Sequence, residues 1–150
     1  MAIKLYQNSP MFSDRYADVK NPAELPNGSG YTFWRTSIEK IIDMVASCAP
    51  NLIICGHVKD SALSENATNN LKTLDLTGKV SRILSAKSDA IGWVHRDEES
   101  NLCIQFGADG EVLTGARPAH LANKDIIVAE RNEDGTFTPH WDRIFPSLAN

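Results

Sequence analysis

Long apolar runs are absent from this chain: no stretch approaches the ~18–20 uninterrupted apolar residues that a membrane-spanning helix needs. The first eight residues, Met1-Ala2-Ile3-Lys4-Leu5-Tyr6-Gln7-Asn8, turn polar too early for the apolar segment of a secretory leader. Cysteine is scarce. The three present, Cys48, Cys55 and Cys103, are odd in number and never form C-x-x-C. Cys48 and Cys55 stand in apolar company, so reduced, buried thiols in a cytosolic protein are expected. Positive charge is short as well, with 15 Lys and Arg against 19 Asp and Glu for a net charge of -4. A general basic face for coating duplex DNA is therefore excluded, although a local basic patch is not. What remains, 150 residues of which 42% are hydrophobic and 23% charged, suits one ordinary domain with a core.

Several chemical signatures are missing. The four histidines, His57, His95, His120 and His140, show neither H-x-x-x-H nor H-x-C spacing, so no metal site is expected. No G-x-S-x-G elbow marks a serine hydrolase. A phosphate-binding loop needs G-x-x-x-x-G-K-[ST], whose backbone N–H groups cradle the phosphates. Around the only Gly-Lys pair, Gly78-Lys79, the earlier glycine is replaced by Thr73 and the hydroxyl residue by Val80. Gly28-Ser29-Gly30 opens a G-x-G-x-x-G that fails at Phe33. The run Ile126-Ile127-Val128-Ala129-Glu130 has the shape of a strand carrying a magnesium carboxylate, but no cradle stands upstream of it.

What is there reads as α/β. Residues 1–30 hold Ser9-Pro10, Asn21-Pro22 and Leu25-Pro26-Asn27-Gly28 without periodicity, which predicts an irregular arm lying against something else. From Tyr31, Trp34, Ile38, Ile41, Ile42 and Val45 recur at helical spacing, with Ser29 as N-cap and Pro50 beyond the end. Asn51-Leu52-Ile53-Ile54-Cys55-Gly56-His57 is short, β-branched and ended by glycine, the pattern of a fully buried parallel strand. Residues 58–76 are polar and aperiodic, which predicts either a mobile functional loop or disorder. Thr77 is placed to cap a helix over residues 78–87. Strand-like segments follow at 90–96, 102–106 and 111–114, joined by two hairpin signals at 97–101 and 108–110. Another strand is expected at 126–129, with a turn at 132–135. Trp141, Ile144 and Phe145 are expected to pin the C-terminal segment.

Two features point toward chemistry. His57 ends the predicted strand, and ligands in open α/β sheets bind outside the carboxyl ends of strands. Lys79, Arg82 and Lys87 stand together without an acid, and with Lys59 and Lys72 they offer cations for the phosphates of a single strand.

The order of these pieces resembles the second half of phage RecA-like ATPases, small AAA-family nucleotide-binding proteins of single-strand annealing and recombination. The resemblance is carried by Leu25-Pro26-Asn27-Gly28-Ser29-Gly30-Tyr31, by Asn51 to Asp60, by Leu74-Asp75-Leu76-Thr77-Gly78-Lys79, by Ser88-Asp89-Ala90-Ile91-Gly92-Trp93 and by Thr114-Gly115-Ala116-Arg117-Pro118-Ala119-His120-Leu121. It implies a partial RecA-like sheet in residues 31–150, with parallel strands continued by an antiparallel meander. It also implies His57 as the sensor beside the nucleotide, 58–76 as the mobile DNA-binding loop and Arg117 facing a phosphate at a subunit junction. ATP and magnesium would be bound only with a P-loop half supplied by another chain. The implied partners are a second copy of the chain or that P-loop half, and single-stranded DNA. The implied compartment is the cytoplasm of an infected bacterial host. The alternative is a catalytically inactive module that pairs with an ATPase and regulates it.

Overall fold

A computed structural model describes residues 1–62, 70–76 and 79–148. The expected cap at Thr77, the helix start at Gly78 and the middle of the polar loop, 63–69, lie outside the described residues. Two compact units form, one built on Met1–Cys55 with Thr77–Val80 and the other on Gly56–Leu76 with Ser81–Asn150.

The first unit is helical. Residues 1–30 are less irregular than their prolines predict: α1 spans Ala2–Gln7, and 3-10 turns follow at Asp14–Tyr16, Pro22–Glu24 and Pro26–Gly28. Tyr6, almost fully buried, is the anchor. Its ring meets Phe33 edge-on at 5.6 Å and Phe12 at 5.7 Å, and its hydroxyl accepts from Ser13 N–H at 3.1 Å. These contacts hold the first turn against α2, Ser29–Ala46. Gly30 is buried beneath the Pro22 carbonyl, where a Cβ would overlap backbone. Ser29 is not the N-cap. Gly28, at φ 67°, occupies that position, and Ser29 instead donates from its hydroxyl to Pro26 C=O at 2.8 Å.

The apolar stripe of α2 is only partly covered, with Ile38 and Ile42 half-buried. Gly30 and Ser37 are the buried residues of the helix, whereas Trp34, Ile41, Met44 and Val45 are exposed. The following run differs still more from expectation. Residues 51–57 form no strand, and Leu52, Ile53 and Ile54 are 40%, 56% and 51% exposed. A parallel strand is buried only when neighbours flank it and helices cover both faces, and none of the described strands pairs with this run. Cys48 and Cys55 are consequently exposed rather than buried, while Cys103 is buried.

The second unit is antiparallel. β1, Val58–Ala62, pairs with β2, Asn70–Leu74. After α3, Val80–Lys87, the expected strand over 90–96 divides at Gly92 into β3, Ala90–Ile91, and β4, Trp93–Arg96. A side chain does not fit at the break, since a Cβ at Gly92 would overlap Ile104 and crowd Phe106. β4 turns through 97–101 into β5, Leu102–Gln105, as the hairpin signal predicts. The second hairpin signal misleads. Asp109 Oδ1 accepts from Glu111 and Val112 N–H at 2.8 and 3.1 Å, and this turn sends the chain to β2 instead of back along β5. There Lys72 N–H donates to Glu111 C=O, Leu113 N–H donates to Lys72 C=O, and Lys72 bridges Val112 in parallel. β6, Gly115–Ala116, pairs with β3. The second neighbour of β5 is β7, Asp125–Arg131, which continues through the 132–135 turn into β8, Phe137–Pro139. Every pairing between named strands is antiparallel, so the chain is mixed α/β, and the parallel strands expected are not found among the described residues.

The core of this unit is Phe106, Leu121, Val128 and Ile144, with Leu102, Ile104, Ile126 and Phe145 packed around it. Ile144 and Phe145 thus pin the C-terminal segment as expected, while Trp141 stays 39% exposed. Strand alternation turns His95, Cys103 and Asp125 to the opposite side of the β4-β5-β7 sheet from Ile104 and Ile126.

Candidate nucleic-acid and metal-ligating sites

His57 lies exposed in extended chain just before β1, and its C=O accepts from Asp75 N–H at 2.8 Å. Arg117 is engaged within the chain. Its guanidinium donates to Ala86 C=O and Ser88 C=O, both at 2.8 Å, and to Asp89 Oδ1 at 3.3 Å. It therefore satisfies carbonyls at the C-terminal end of α3, where a cation also suits the helix dipole. His57 is not among its partners.

The five expected phosphate-binding cations separate into different surroundings. Lys59 Nζ pairs with Asp75 at 3.2 Å and donates to Leu76 C=O at 3.1 Å, so its charge is partly spent. Lys72 is the best placed. Its backbone is clamped between Glu111 and Leu113, and its ammonium sits 5.9 Å from the centre of the Trp93 ring. A cation over a half-buried indole combines a phosphate contact with a stacking surface. Arg82 and Lys87 are exposed on α3, five residues apart and hence roughly 140° around the helix. Lys79 is exposed and falls in the other compact unit.

A second constellation escapes any reading by spacing. His95 on β4, Cys103 on β5 and Asp125 on β7 bring a ring nitrogen, a sulfur and a carboxylate oxygen within 4.8 Å of one another. His95 and Cys103 are direct cross-strand partners. His95 Nε2 lies 3.0 and 2.9 Å from the two oxygens of Asp125. Cys103 Sγ approaches Asp97 Oδ2 at 3.8 Å. Burial pushes the Cys103 thiol up, and the Asp97 and Asp125 charges push the same way. Asp97 itself is held below the usual carboxylate range, first by Asn101 Nδ2 at 2.9 Å and further by the N–H groups of Asn101 and Glu99. Asn101 is buried, and its Oδ1 accepts from Arg131 N–H at 2.8 Å, tying the 97–101 turn to β7. Sequence separations of 8 and 22 residues carry no metal signature. The available signal was period-two alternation around a recognised hairpin, which puts His95 and Cys103 on one face.

No family model, curated protein or solved structure matches the chain. Among the described residues, no helix is long and apolar enough to cross a membrane.

Proposed function

We propose that this chain is the distal part of a RecA-like ATP-binding protein of DNA recombination or single-strand annealing, with its phosphate cradle and magnesium carboxylate outside these 150 residues. The observation that carries the reading is the run Leu52-Ile53-Ile54-Cys55, which is apolar, exposed and paired with no described strand. A β-branched run of this kind is costly in water. At ~25 cal/mol per Å² of apolar surface, covering it favours a completed parallel sheet. The part-exposed stripe of α2, at Trp34, Ile41 and Val45, is the companion face that such a sheet would bury. In the completed protein His57 follows the end of that strand, in the place where α/β sheets bind ligands. Lys72 with Trp93 is the single-strand contact.

The isolated chain neither binds ATP tightly nor hydrolyses it, because a lysine and backbone N–H groups of a cradle supply most of the phosphate stabilisation. The test is to read the coding region adjoining these residues for G-x-x-x-x-G-K-[ST] and to assay a protein containing both parts. Magnesium-dependent ATP turnover that is lost on Ile53→Lys and lowered by His57→Ala is expected. Turnover by the 150 residues alone, or no such motif beside them, refutes the proposal. A second reading, an inactive module that pairs with an ATPase, is favoured by Arg117 being engaged within the chain. It predicts stable association with a P-loop protein whose turnover is unchanged by Arg117→Ala.

A further inference from the structure

We propose that His95, Cys103 and Asp125 form a binding site for one divalent transition-metal ion of the zinc type, clipping β4, β5 and β7 together on the sheet face away from the core. The donor set selects the ion. One imidazole, one thiolate and one carboxylate suit a borderline-soft cation such as Zn²⁺ or Co²⁺, whereas magnesium and calcium prefer oxygen donors alone.

The geometry is close to what such an ion needs. Zinc lies about 2.0–2.1 Å from nitrogen, 2.0–2.2 Å from oxygen and 2.3 Å from sulfur, which sets tetrahedral donors roughly 3.3–3.6 Å apart. The three donors here already lie within 4.8 Å of one another. His95 Nε2 and Asp125, at 2.9 Å, have only to part by about half an ångström as the ion replaces the shared proton. Three strands of one sheet supply the ligands, so little chain entropy is lost on binding.

The surroundings also favour a cation. Three potential negative charges, Asp97, Asp125 and the Cys103 thiolate, converge with no Lys or Arg hydrogen-bonded or ion-paired to Asp97, Asp125 or His95 among the described contacts. Asp97 is fixed by Asn101 and Glu99 beside the sulfur, where its negative charge, like that of a Cys103 thiolate, is one that a bound cation offsets. The side chains of His95 and Asp125 are 27% and 49% exposed, which leaves a path for the ion and a fourth position for water.

The test is a Co²⁺ titration of the full chain carrying Cys48→Ser and Cys55→Ser, so that any thiolate signal arises from Cys103. One Co²⁺ per chain with a near-ultraviolet thiolate-to-cobalt charge-transfer band is expected, displaced by Zn²⁺. Removing an outer partner typically costs about 10–100-fold in metal affinity. His95→Gln and Asp125→Asn, both ligand losses on the accessible side, should therefore each weaken binding by at least that range. Cys103→Ser should abolish the band. Absence of the band at saturating cobalt, or unchanged affinity in either His95→Gln or Asp125→Asn, overturns the three-ligand site. Circular dichroism of each variant establishes that the sheet is intact.

Discussion

Single-strand binding centred on Lys72 and Trp93 should be weak and only mildly salt-dependent. Composition alone offers five cations, but the structure reduces the set. Lys59 is paired with Asp75, and Arg82 and Lys87 point to different sides of α3. Lys72 with one of the α3 cations neutralises about two phosphates, which at about -0.7 per phosphate gives a log–log salt slope of roughly -1.4. Between 50 and 200 mM salt the affinity should then fall only about 7-fold. Stacking adds about 1–3 kcal/mol per base, so Trp93→Ala should weaken binding by roughly 5- to 150-fold, more than Lys72→Ala does. The assay is fluorescence anisotropy of a labelled oligonucleotide at low salt, with quenching of Trp93 emission as a second readout. The net charge of -4 opposes long-range attraction, so binding should be weak and should favour single strands over duplex. No binding at low salt, a slope steeper than about -3.5, or indifference to Trp93→Ala refutes the placement of the site.

Val128→Ala removes two methyl groups from a fully buried side chain and should cost about 1.5–3 kcal/mol, from transfer plus the cavity left behind, read as a lower urea midpoint. Gly30→Ala should destabilise the helical unit severely, because the clash is with the Pro22 backbone rather than a movable side chain. Loss of helical circular dichroism at lower temperature is the readout. Arg117→Ala frees three acceptors at the end of α3 and should cost about 1 kcal/mol, without the larger loss that a buried pair would bring. Glu130 is held below the usual carboxylate range, first by Arg143 at 3.1 Å and then by His140. Its contribution to stability is present above the ordinary glutamate value and lost as pH falls through the lowered one. Glu130→Gln should therefore flatten the acid limb of a urea-midpoint profile. A profile identical to that of the parent chain would refute the assignment.

Period-two alternation and turn chemistry made much of the second unit legible from the sequence. The Asp97–Asn101 turn joins the strands expected, the Asn132–Gly135 turn falls where expected although the short strand β8 beyond it was not, and Ile144 and Phe145 pack where expected, because these are local signals that the core reinforces. The same logic failed at Ala108-Asp109-Gly110. Its Asx turn is local too, but the partner strand was decided elsewhere. β7 supplies Ile126 and Val128 to the core, so it outcompetes residues 111–114 for the edge of β5.

Periodicity also located α2 within a few residues, whereas the buried strand that apolar content marked at 51–57 does not form. Neither could say whether a covering layer exists. Burial is a property of what surrounds a segment, and these residues remain exposed in the structure. By itself the sequence determined the absence of a nucleotide cradle, the negative balance of charge, and the positions of the helix and the hairpins. Only the tertiary structure decided that Arg117 caps α3, that Lys72 rests over Trp93, and that His95, Cys103 and Asp125 meet. Those encounters depend on the register of strands far apart in the chain, which no local spacing encodes.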